Sequence, residues 1–151
     1  MILLKRLHVH ALKQLRDVEI WFPRRGSLLI EGHNEAGKST LFEAVYFAIY
    51  GMPLVGEETT ATLRDLIPHG GTSAGVELSL VAGQTELDIR RTVSYARGKA
   101  QAGQQARVIV RRPGAPTEEI HGPRPVNTRI LHELHDLNGE TLRNSCFMEQ
   151  K

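Results

Sequence analysis

Residues 32 to 39 read Gly-His-Asn-Glu-Ala-Gly-Lys-Ser and fit the pattern G-x-x-x-x-G-K-[ST]. Each fixed position answers a need of phosphate binding. Gly32 and Gly37 let the backbone bend and come close to phosphate oxygens. Successive N–H groups can then form a concave anion nest, and the positive end of a following helix points to the same place. Lys38 can supply a point charge to the β- and γ-phosphates. The Ser39 hydroxyl can sit on Mg²⁺, and Thr40 can donate to an α-phosphate oxygen. The expected ligands are therefore ATP and Mg²⁺. The expected nucleotide contacts are Asn34, Glu35, Ala36, Gly37, Lys38, Ser39 and Thr40, with Lys38 also catalytic and Ser39 also a metal ligand. The competing reading is a structural Gly-rich turn. By average usage the four fixed positions match by chance in roughly one chain of this length in a few hundred, so local context has to decide.

That context is present. Ser27 to Ile30 is a short apolar run that reads as a buried strand. After it, Leu41, Phe42, Ala44, Val45, Ala48 and Ile49 fall on a broad helical face starting near Lys38. Gly51, with Pro53 beyond it, is a natural stop for that helix. Upstream, Leu3 to Leu12 has period two, with Leu7, Val9 and Ala11 on one face. Val18, Ile20 and Phe22 alternate with polar neighbours and suggest a half-exposed second strand. Downstream, Thr59 to Ile67 can hold a short helix, ended by Pro68 and Gly70-Gly71. Val76, Leu78, Leu80 and Ala82 then mark a strand, Gly83-Gln84 a turn, Leu87, Ile89 and Val93 a second strand, and Val108 and Val110 a third. This is an antiparallel meander. Ala96 to Ala106 reads as a flexible loop, and Pro113 to Pro125 as a further connection. Asn127 or Thr128 can cap a helix carrying Ile130, Leu131, Leu134 and Leu137. The fold class is α/β: a P-loop core with a central parallel strand and helix, plus the meander.

The totals bound the rest. The chain has 151 residues, about one domain's worth, and a formal net charge of +2. That charge permits nucleic acid as a partner without demanding it. Cys146 is the single cysteine, so no internal disulfide forms, and a reduced, cytoplasmic setting is expected. No long apolar segment suggests a membrane span.

The run from Leu28 to Val45 closely resembles the SMC-like DNA-repair ATPases of the SbcC, RecF and RecN type. Leu4 to Ile20 resembles their first hairpin. The resemblance implies an ABC-type ATPase N-terminal lobe, running from P-loop to Q-loop, that stops where a coiled coil would begin. It implies that Gln150, in Phe147-Met148-Glu149-Gln150, is the Q-loop glutamine, catalytic and in contact with Mg²⁺ and the attacking water. Without it Gln150 is an exposed polar residue. It also implies that Lys13 lies near the phosphates, against the plain alternative of a solvated strand-end charge. Adenine-side contacts would come from Arg64 to His69. The implied partners are the protein's own C-terminal lobe, a second head in a homodimer, DNA, and a nuclease of the SbcD type, with no membrane.

Two motifs such an enzyme needs are missing. No run of four apolar residues followed by Asp-Glu occurs, and no Ser-Gly-Gly signature occurs. Alone, the chain is expected to bind nucleotide but to turn over little or none, because the water-activating group is absent. Arg90, Arg91, Arg97, Lys99, Arg107, Arg111 and Arg112 gather on the meander and its loop, where acids are scarce. They read either as a DNA-facing surface or as a solvated sheet face. His132-Glu-Leu-His135 has a spacing of three rather than the four of H-E-x-x-H and lacks a third ligand, which argues against a metal. Two other functions remain open. One is a transporter-type ATP-binding cassette, with Trp21 or Phe22 as an aromatic adenine platform. The other is a nucleotide-binding module that never hydrolyses ATP.

Overall fold

A computed structural model describes residues 2–13, 15–22, 35–53, 62–68, 70–95 and 102–134, with the backbone alone for 35–39 and 64. The strand expected at Ser27 to Ile30 lies outside the described residues, and so does the parallel core it would start.

The described chain builds one six-stranded sheet in the order β2-β1-β3-β4-β5-β6. Its strands are β1 (Ile2–Leu12), β2 (Leu15–Trp21), β3 (Ser73–Ala82), β4 (Thr85–Ser94), β5 (Gly103–Arg111) and β6 (Glu118–His121). Every neighbouring pair is antiparallel. Two helices, α1 (Glu35–Tyr50) and α2 (Pro123–Leu134), pack on one face, and a single 3-10 turn spans Leu63–Leu66. The core lies between helices and sheet. Leu7, Val9, Val76, Leu78, Leu80, Leu87, Ile89, Val108 and Val110 supply the sheet side; Ala44, Val45, Phe47, Ala48 and Ile49 supply α1. The alternation of β3, β4 and β5 is therefore the burial of one face, as expected.

In β1 the alternation is broken twice. The register against β3 shifts between Leu4 and Arg6. A one-residue shift exchanges the two faces, so Leu4 and Leu7 both lie toward the core and Arg6, His8 and His10 point away. At the other end Ala11 has φ 53°, a left-handed conformation rare for a residue with a Cβ. Leu12, not Ala11, then takes the buried place (1% exposed). The expectation that Ala11 continues the row of Leu7 and Val9 fails at this kink.

Three further boundaries differ. β5 starts at Gly103, inside the Ala96 to Ala106 segment expected as a loop, because Gly103 to Ala106 pair with Arg91 to Ser94 of β4. The Pro113 to Pro125 segment is not only a connection. It contains β6, paired with β5 from Arg107↔His121 to Val110↔Glu118, and the first turn of α2. That helix begins at Pro123 rather than near Asn127. Proline suits the first helical turn, whose N–H groups have no intrahelical acceptor, and the Val126 N–H reaches back to the Gly122 carbonyl at 3.0 Å.

Candidate functional site

The phosphate-binding pattern runs into α1. The helix starts at Glu35, three residues earlier than the apolar periodicity suggests, so the Glu35 to Ser39 part of the motif forms its opening turns. The first four N–H groups of any helix lack intrahelical acceptors. Here they belong to Glu35, Ala36, Gly37 and Lys38, so the donor set fits an anion. Thr40 is buried (4% exposed), at the start of the face that anchors α1 on β1, β3 and β4. Asn34 and Gln150 lie outside the described residues.

The far end of α1 is held by a residue that sequence reasoning misplaced. Arg91 lies in the buried row Leu87-Ile89-Arg91-Val93 of β4 and is 0% exposed. Its Nε donates to the Ala48 carbonyl at 2.7 Å and its Nη2 to the Ile49 carbonyl at 3.2 Å. Its Nη1 donates to Gln104 Oε1 at 2.8 Å, and Gln104 Nε2 donates in turn to the Gly51 carbonyl at 2.8 Å. Burial pushes the guanidinium down to about 10. A cation here satisfies orphan carbonyls and opposes the negative end of the helix dipole. Gly51 closes the helix with φ 72°, its N–H bonded to the Phe47 carbonyl at 2.8 Å.

Lys13 joins two of the expected pieces. It also has positive φ (50°). Its N–H donates to the Leu66 carbonyl at 2.9 Å, which ties the end of β1 to the segment expected near the adenine. Leu66 and Ile67 are buried, and the turn before them is fastened by Asp65, whose carboxylate accepts from the Thr62 N–H at 2.6 Å. The Lys13 ammonium lies 2.7 Å from Glu43 Oε2 on α1. The strand-end charge is thus paired with α1 while its side chain stays partly exposed. Glu43 is 7% exposed within the apolar face of α1, about 12 Å along the axis from Glu35. A lone carboxylate in an apolar helical row was the available sequence signal for this pair. The side chain of Arg64 is not described, and His69 lies outside the described residues.

The basic meander is not a free cationic surface among the described residues. Cross-strand acids face its arginines: Arg90 meets Glu77 at 3.4 Å, Arg107 meets Glu119 at 3.6 Å, and Arg111 pairs with Asp88. Arg112 pairs with Glu133. The Asp88 hydrogen bond holds Arg111 above the ordinary arginine range. Acids scarce along the chain become plentiful across the strands, and Arg91 is in the core. Arg97 and Lys99 lie outside the described residues. Glu133, in the His132 to His135 run, is a buried anchor bonded by Arg112 and by Arg129 (2.9 Å). Trp21 lies on the sheet face away from α1, 66% exposed, with the Arg6 guanidinium 5.5 Å from its ring. That placement does not suit an adenine platform beside the phosphate loop. Phe22 is half-buried against the core.

A family model described as AAA domain matches residues 6–150. The chain belongs to that family. Among curated relatives, the DNA double-strand break repair Rad50 ATPase of Thermoplasma acidophilum is 36% identical over 78 residues, covering 52% of this chain and 8% of the relative. The Rad50 ATPase of Halobacterium salinarum is 29% identical over 128 residues, covering 83% of this chain and 13% of the relative. The chain thus spans about a tenth of the length of these relatives. A structure solved in a study of ATP-driven dimerization and DNA-stimulated activation of SMC ATPases superposes with a TM-score of 0.51 at 16% identity, covering 97% of this chain and 92% of that one. This likeness shows the fold. The Rad50 ATPases among these relatives agree with the resemblance carried by the P-loop and first hairpin. No helix among the described residues is long and apolar enough to cross a membrane.

Proposed function

We propose that this lobe is the ATP-binding half of an ATPase head that drives DNA tethering or processing in repair or chromosome maintenance. Family membership supports an ATP-using enzyme of the repair and chromosome class. The observation that carries the site is the link from Lys13 to both the Leu66 carbonyl and Glu43 of α1. It fastens the end of β1 and the 62–67 segment to the helix whose first turns belong to the phosphate-binding pattern.

In this reading Asn34 to Thr40 wrap the phosphates, and Lys38 neutralises charge that builds on the β- and γ-oxygens. Lys13 leaves Glu43 to reach the same polyanion. Ser39 and Gln150 would hold Mg²⁺, which would offset phosphate charge, and Gln150 would orient the attacking water. The chain has no Asp-Glu pair behind an apolar strand, so the carboxylate that polarises that water comes from a C-terminal lobe. Two such heads close over nucleotide as a homodimer, and a nuclease of the SbcD type works beside them.

Calorimetry with Mg·ATP should show binding by this chain, and Lys38→Ala should abolish it. Unchanged affinity in that variant would overturn the role given to Lys38. Turnover should be near background for the chain alone and should rise when the C-terminal lobe is added. Full turnover by the chain alone would defeat the split-site reading.

A further inference from the structure

The sheet face away from the helices carries a cluster that the nucleotide site does not use. The register shift before Arg6 and the left-handed Ala11 bracket a stretch of β1 in which Arg6, His8 and His10 all point outward. Two residues apart on one strand, the histidines share a face, and their ring centroids are 3.8 Å apart. Glu77 of β3 is the register partner of His8, and Asp17 of β2 that of His10. We propose that His8, His10 and Glu77 bind a divalent transition-metal ion, with zinc as the reference case.

The donor set is two imidazoles and a carboxylate, the hard-to-borderline set that suits zinc and its neighbours. One ligand atom from each of the three residues lies within 4.8 Å of the others. Metal–ligand bonds of about 2.0–2.1 Å place tetrahedral ligand atoms about 3.3 Å apart. His8 Nδ1 and Glu77 Oε2 are already 3.6 Å apart. The His8 tautomer is also set. Its Nε2 lies 2.6 Å from Asp17 Oδ1, which can only accept, and its Nδ1 lies 3.3 Å from Arg6 Nη2, which can only donate. Nε2 therefore carries the proton and Nδ1 the lone pair facing Glu77. A carboxylate holding the far nitrogen of a histidine is the usual support of a metal-bound imidazole. The His10 ring makes no hydrogen bond to another described residue, so its nitrogens remain for a ligand.

Arg6 is the competitor. Its Nη1 lies 3.5 Å from Glu77 Oε2, so the guanidinium holds the two ligands that a metal would take. It has somewhere else to go. Arg6 Nη2 bonds Glu19 at 3.0 Å, the guanidinium lies over Trp21, and Trp21 Nε1 fixes Glu19 at 2.7 Å. Arg90, which also meets Glu77, does so through the other oxygen, Oε1. Ion binding is then an exchange of one cation for another on Glu77, with Arg6 drawn toward Glu19.

The test is titration of the nucleotide-free chain with Zn²⁺ by calorimetry and with Co²⁺ by visible absorption. One equivalent should bind. His10→Ala and Glu77→Gln should each weaken it at least about tenfold, and Asp17→Asn, which removes only the support of His8, by about tenfold. Arg6→Met should tighten it, which no unrelated surface site would do. His132→Ala, on α2, should leave affinity unchanged. Absence of binding at 100-fold molar excess of ion would overturn the proposal. So would binding that survives both His10→Ala and Glu77→Gln, or an Arg6→Met variant no tighter than the parent. None of these outcomes bears on ATP binding.

Discussion

Arg91 brings a guanidinium into a row otherwise built from Leu87, Ile89 and Val93, and the carbonyls that end α1 receive it. Replacing it by methionine keeps much of the volume but leaves the Ala48 and Ile49 carbonyls buried and unpaired. Denaturant unfolding should show a loss of about 2–4 kcal/mol. Arg91→Lys should recover little, because one ammonium cannot span two carbonyls and Gln104. The charged form is the one that burial disfavours, so its folded value of about 10 lies below the unfolded one. Between these two values the unfolded chain binds more protons, and the Arg91 contribution to stability rises with pH there. Below pH 10 it is constant. The stability gap between the parent and Arg91→Met should therefore widen as pH rises through about 10. Lys13 and Glu43 form the other charged contact on α1. Lys13→Met strands a nearly buried carboxylate, whereas Lys13→Met with Glu43→Gln strands none. The double variant should therefore melt higher than the single one, with both weakened in Mg·ATP affinity if the lysine reaches phosphate.

At the scale of elements, the end of α1 is set by one left-handed residue. A Cβ on Gly51 would stand 2.7 Å from Arg91 Nη1 and 2.9 Å from Asn127 Oδ1. Gly51→Ala should cost about 1–2 kcal/mol from backbone conformation alone, and more if Arg91 is displaced. A lowered thermal midpoint with unchanged secondary structure would register this. The three central strands and α1 could be read from the sequence because each buries one face, and burial imposes its period on the residues. What could not be read depends on partners distant in the chain. β6 carries only one half-buried apolar residue, Ile120, and exists as a strand through β5. Pro123 and Pro125 signal a break until the chain is seen to start a helix there. The phosphate pattern was legible because its chemistry is local. The pairing of Lys13 with Glu43, the capping by Arg91 and the meeting of His8 with Glu77 are contacts across 30, 43 and 69 positions. No spacing rule announces them.

For the whole molecule, the open face of the sheet is a lattice of alternating charge rather than a basic plate. Lys5 meets Glu86, Arg6 meets Glu19 and Glu77, and Arg111 meets Asp88. Paired exposed ions add little stability each, but they cancel the field that would attract a polyanion. In the full-length protein, Arg90→Ala with Arg107→Ala should change DNA affinity less than threefold and leave its salt dependence unaltered. A slope reduced by two phosphate contacts would instead assign this face to DNA.

The order β2-β1-β3-β4-β5-β6 also carries a kinetic consequence. From β3 to β6 every strand meets the strand that follows it in the chain, whereas β1 reaches β3 only after a loop of some sixty residues has closed. Closing that loop costs entropy before any ladder bond repays it. The hairpins of the meander should therefore assemble first and act as a template. Core substitutions such as Ile89→Val would slow refolding, while Val9→Ala would chiefly hasten unfolding.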